Sequence, residues 1–163
     1  MHYQVIMKAA TIHEIKKELG LVHANKLTEL LLRMARYKKD NKELLTYLLF
    51  EASDEPLYIR SVKEEMELQF SEINTSNHHL AKKTIRKVLR TANKFARFSQ
   101  SKQTELELRL HFCQLLKKSG AWYRRSQVMQ NIYDNQVKKI NDLMVKMHED
   151  LRADYIAELN ELQ

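Results

Sequence analysis

With 163 residues, two glycines, one proline, one cysteine and 30% charged residues, the chain can close a buried core and is too poor in turn residues for a strand-rich fold. Its formal net charge of +7 is concentrated: residues 1–72 hold 11 basic and 12 acidic residues, 73–104 hold 8 and none, and 105–163 hold 9 and 9. Neither G-x-x-x-x-G-K-[ST] nor G-x-G-x-x-G can be written with only Gly20 and Gly120, which excludes phosphate-loop enzymes.

The pattern predicts an all-α fold: one domain over 11–163 after a tail over 1–10, built as a helical bundle or short irregular superhelix of about seven helices. Met7 is an alternative start to Met1. A first helix opens at Thr11, where Thr11 and Glu14 match a capping box, and stops at Gly20. The second runs from about Asn25 to Tyr37 on Leu27, Leu30, Leu31 and Met34. A third opens at Asp40 with Glu43 and carries Leu44, Leu45, Leu48, Leu49 and Phe50, a run wide enough to predict a mostly buried helix. Pro56 fits the first turn of a fourth, capped by Asp54 or Glu55, with Ile59, Val62, Met66, Phe70 and Ile73 in one stripe.

The fifth, His78 to Phe98, carries the charge. At ~100° per residue, Ala81, Ile85, Val88, Leu89, Ala92, Phe95 and Ala96 share one arc. Lys82, Lys83, Arg86, Lys87, Arg90, Lys94 and Arg97 share another. Thr104 with Glu107 predicts the start of a sixth helix that is apolar on most sides and ends at Ser119 and Gly120. The remainder, about 126–162, has no Gly or Pro and reads as a long last helix, or two joined near His148; its heptad-like stripe suits burial or a homodimer.

No catalytic set emerges. None of the seven histidines forms H-x-x-x-H, and no Glu or Asp precedes a His by three residues, so no metal and no cofactor are expected. Cys113 lies in an apolar run and reads as a small buried hydrophobe. A helix-turn-helix with its glycine at Gly20 would place Lys16, Lys26 and Glu29 where small or buried residues belong, and fails. No ~18-residue uncharged stretch and no signal-peptide pattern occur, so no membrane association is expected and the location reads as cytoplasmic.

Two surfaces remain as candidates. The seven cations of the fifth helix would meet acids within the fold, such as Glu51, Asp54, Glu55 and Glu64 to Glu67, or an anionic partner: a protein, or nucleic-acid phosphates. Trp122, Tyr123, Arg124 and Arg125 combine rings and guanidinium groups that could stack on bases, or Trp122 is a plug at a helix start. The segments RYKKDNKELLTYLLFE, AKKTIRKVLR and MHEDLRADYIAEL resemble an uncharacterised family of short all-helical bacterial proteins with no assigned function. That resemblance implies a widespread helical fold and leaves the function open. The expectation is a non-enzymatic interaction module using a surface that includes the basic helix, with nucleic-acid binding as the alternative.

Overall fold

The structure, a computed structural model, describes residues 8–162; most of the tail expected over 1–10, and both candidate starts, lie outside the described residues. The fold is all-α, with eight α-helices and no strand among the described residues. The described residues fall into two compact units, the first ending at Thr46 and the second starting at Tyr47.

In the first unit, α1 (Ile12–Leu19) opens with the expected capping box, Thr11 and Glu14 satisfying each other's backbone amides. Gly20 caps its end. After His23 comes α2 (Ala24–Tyr37), and α3 (Lys39–Thr46) follows one residue later, Asn41 Nδ2 donating to Met34 O at 2.9 Å to close the corner. Asp40 lies inside the first turn of α3 rather than capping it. No residue of these three helices is buried.

The second unit begins with a π-helical turn, Tyr47–Glu51, where the expectation of a mostly buried third helix fails. Tyr47 alone is buried, while Leu48, Leu49 and Phe50 stay exposed, Phe50 at 75%. An apolar run this wide offers side chains in every direction, and Tyr47 is the one that packs inward, against Tyr58 with ring centroids 4.5 Å apart. Asp54 then caps α4 (Glu55–Ser71) by accepting from Leu57 N at 3.1 Å, with Pro56 in the first turn. The Asn77 side chain accepts from His79 N and Leu80 N to start α5 (His78–Ser99). Gln100 terminates it in the left-handed region at φ 58, its amide donating to Ala96 O at 3.1 Å.

Ser101, not Thr104, caps α6 (Lys102–Lys118). Thr104 with Glu107 fits the capping-box pattern, but the Thr104 hydroxyl sits one turn inside and donates to Glu55 at 2.5 Å. Ser119 and Gly120 end α6 as expected, Gly120 at φ 98 leading into a 3-10 turn, Ala121–Arg125. The residues expected to form the long last helix make two, α7 (Gln127–Val145) and α8 (Glu149–Leu162). No breaker separates them; His148 does, its Nδ1 accepting from Asp150 N at 3.4 Å and its carbonyl from Arg152 N, in the manner of a helix cap.

The core belongs to this second unit. α6 is its hub, packed against α4, α5, α7 and α8 and burying Leu106, Leu108, Leu110, Phe112, Cys113 and Leu116. From α4 come Ile59, Val62, Met66 and Phe70; from α5 come Ala81, Ile85, Val88, Ala92 and Ala96, whose small side chains let α4 and α6 approach closely. Met129, Tyr133, Ile140 and Met144 of α7 and Tyr155 and Leu162 of α8 close the other side, with Tyr133 Oη donating to Leu162 O at 2.7 Å. Most of the stripe over 126–162 that a homodimer would use packs within the chain, with Leu151 left exposed. No helix among the described residues is long and apolar enough to cross a membrane.

Candidate polyanion-binding surface

With its apolar arc committed to α4 and α6, α5 turns its cations outward. Lys83, Arg86, Lys87, Arg90 and Arg97 are exposed, and Lys82 and Lys94 are half-buried. Over Phe95, the Lys94 ammonium lies 4.6 Å from the ring centroid. From Lys83 to Arg97 the steps of three and four residues keep the row on one face over about 21 Å, at 1.5 Å per residue.

Of the acids that could neutralise this row, Glu51 and Glu64 form no ion pair with it among the described residues, and the others face other groups. Asp54 caps α4. Glu55 accepts from Tyr47 Oη at 3.0 Å, from Ser99 and from Thr104. Glu65 accepts from Gln69, and Glu67 faces His111 Nε2 at 3.2 Å. Glu72 at the end of α4 reaches Lys87 at 3.6 Å, an exposed pair of the weakly coupled kind. Among the described residues no acid lies within ion-pair distance of Lys82, Lys83, Arg86, Arg90 or Arg97. Within its own unit, therefore, most of the row keeps its charge.

The row runs into a cleft of ≈ 670 Å³ at the C-terminal end of α5, lined by Asn93, Ala96, Arg97, Gln100, Lys102, Glu105, Arg109 and Lys139. Arg109 and Lys139 carry no sequence signal, because they sit in a stretch where 9 bases balance 9 acids. Lys102 belongs to the acid-free stretch, but only the fold puts it beside Arg97. Arg109 is buried and held, donating through Nε to Glu105 Oε1 at 2.9 Å and through Nη1 to Gln136 Oε1.

The second sequence candidate comes apart. Tyr123 is 2% exposed and lies against Tyr133 with ring centroids 5.3 Å apart, so it offers no face to a base. Trp122 is half-buried and donates from Nε1 to Ser119 Oγ at 2.9 Å, the plug reading. Arg124 and Arg125 are exposed, with Arg124 Nε donating to Tyr123 Oη at 3.4 Å. What the sequence grouped as a stacking platform is a structural turn with two surface arginines.

The titratable groups inside the second unit hold helices together. Burial draws the Glu107 carboxyl upward, but hydrogen bonds from Lys63 at 2.8 Å, Tyr155 at 2.9 Å and Gln103 outweigh it and hold the group below the usual carboxylate range. Glu107 thereby ties α4 to α6 and α8. Burial pushes the Cys113 thiol up to about 12, which leaves it a protonated, poor nucleophile. Burial lowers His111 and favours its neutral form. No group of three or more His, Cys, Asp or Glu among the described residues could hold a metal ion. Comparison with protein-family models, with curated proteins and with solved structures gives no match.

Proposed function

We propose that the protein is a non-enzymatic helical binding module whose partner is a nucleic acid, held by its phosphates on the outward face of α5. One observation carries this reading: Lys83, Arg86, Arg90 and Arg97 form an exposed row with no acid within ion-pair distance among the described residues, on a helix whose other face is packed. Phosphodiesters are the partner such a row fits, because each cation can displace one condensed counterion. The burial of Ala81, Ala92 and Ala96 argues against a lipid-lying helix, which would face the bilayer with larger apolar groups. The free, buried Cys113 suits a reducing compartment, and a cytoplasmic location belongs to the same proposal.

Fluorescence anisotropy with single- and double-stranded oligonucleotides at two salt concentrations tests it. If about five cations each meet a phosphate, affinity falls by roughly two to three decades between 50 and 200 mM salt. Replacing Arg86, Arg90 and Arg97 together by Glu abolishes binding without unfolding the chain, since all three side chains face water. No binding at 50 mM salt sinks the nucleic-acid reading and leaves an acidic protein as the partner of this face.

A further inference from the structure

Three helices deliver cations to one concavity: Arg97 from α5, Lys102 from the first turn of α6 and Lys139 from α7. Its floor is Arg109, 7% exposed, with Glu105 the only acid on the lining. Glu105 Oε1 accepts from both Nε and Nη2 of Arg109, so this pair cancels. Arg97, Lys102 and Lys139 are left without an acidic partner among the described residues. Like charges gathered in a concavity repel one another until an anion enters and offsets them.

The cleft differs from the row in the charge it is built to receive. Along α5 the cations are strung out in single file, one to each singly charged phosphodiester. At the cleft three converge, which suits a group with nearly two charges and three free oxygens; a phosphomonoester has both near neutral pH. We infer that the cleft of Arg97, Lys102 and Lys139 is a pocket for a terminal phosphate, so that a strand lying on α5 ends there. The strand's course along α5 rests on the nucleic-acid reading above; the recognition of the phosphate rests on the cleft alone. A volume of ≈ 670 Å³ accommodates the phosphate together with its sugar.

Two measurements on the full chain test this. Inorganic phosphate titrated into ¹⁵N-labelled protein shifts the amides of Arg97, Lys102 and Lys139, and does so no longer in the double variant Lys102→Gln, Lys139→Gln, whose side chains are both exposed. Anisotropy compares one oligonucleotide carrying a 5′-phosphate, a 3′-phosphate or hydroxyls at both ends. One phosphorylated form binds about tenfold more tightly than the hydroxyl form, as expected for an added charge met by several cations. The double variant loses that preference, whereas Arg86→Gln with Arg90→Gln weakens all three forms alike. Phosphate that leaves the cleft amides unmoved overturns the pocket. Oligonucleotide binding indifferent to both terminal phosphates overturns the assignment of the terminal group. Phosphate binding in the cleft with no oligonucleotide binding keeps the pocket and overturns the nucleic-acid reading instead.

Discussion

Residues 8–46 and residues 47–162 are built from the same kind of amphipathic helix and reach opposite ends. Helices α1, α2 and α3 bury no residue, and Ile12, on the apolar face of α1, is 81% exposed. In the second unit α6 is apolar on most sides, and neighbours on each of those sides bring Leu106, Leu108, Phe112 and Leu116 to zero exposure. An apolar stripe makes a helix and gives it a face; what buries that face is the number of partners around it. Eight residues of α1 with no buried contact lean on their caps, whereas α6 leans on four other helices.

The largest effect separates the units directly. Phe112→Ala opens a cavity in the hub of the second unit and costs about 3–5 kcal/mol, read as a lower denaturant midpoint. Leu31→Ala on α2, half-exposed, removes little buried area and costs well under about 1 kcal/mol. Comparable losses would erase the distinction. Hydrogen exchange probes it without substitution: amides of α1 and α3 exchange at least about a hundredfold faster than those of α6, because local opening there exposes little buried apolar surface. Uniform protection across both units would break the comparison.

The same contrast explains what could be read from the sequence. Caps and stripes are local, so Thr11 with Glu14, a cap at Asp54 or Glu55 before Pro56, the two-faced helix of His78 to Phe98 and the buried Cys113 were all legible. Errors fell where a local pattern admitted two answers and tertiary contacts chose. Thr104 with Glu107 looks like a cap, but Glu55 took the hydroxyl of Thr104 and Ser101 caps the helix. Leu48 to Phe50 look like core and stay exposed. Tyr123 looks like a surface ring beside arginines, and Tyr133, ten residues on, covers it. For the basic face, the charge segregation was visible, but the engagement of Glu55, Glu65 and Glu67 elsewhere was not. Nor was the meeting of Arg97, Lys102 and Lys139, which join from three helices.

A smaller effect tests whether polar ties, as well as apolar burial, distinguish the second unit. Glu107→Gln leaves Lys63 without a charged partner and costs about 1–2 kcal/mol at neutral pH, allowing for the partial exposure of both side chains. The Glu107 carboxyl is held below its ordinary value of about 4.3. Its contribution is therefore fully present above that value and is lost as pH falls through the lower folded-state value. The gap between the parent and Glu107→Gln accordingly narrows below about pH 4. A gap independent of pH would show that the ion pair contributes nothing beyond its hydrogen-bonding shape.

The smallest effect concerns the joint between the basic helix and the hub. Gln100 ends α5 at φ 58, a conformation that costs a residue with a Cβ roughly 1 kcal/mol and costs glycine almost nothing. The cap itself is a backbone bond, Gln100 N to Ala96 O, which glycine keeps. Gln100→Gly therefore stabilises the second unit by about 0.5–1 kcal/mol, raising its melting midpoint by a few degrees. Glycine also frees the unfolded chain, which opposes the gain, so the net sign reports whether relief of the left-handed strain outweighs that entropy. A lower midpoint would mean that the Gln100 side chain, which lines the cleft beside Arg97 and Lys102, stabilises the joint by more than its backbone strains it.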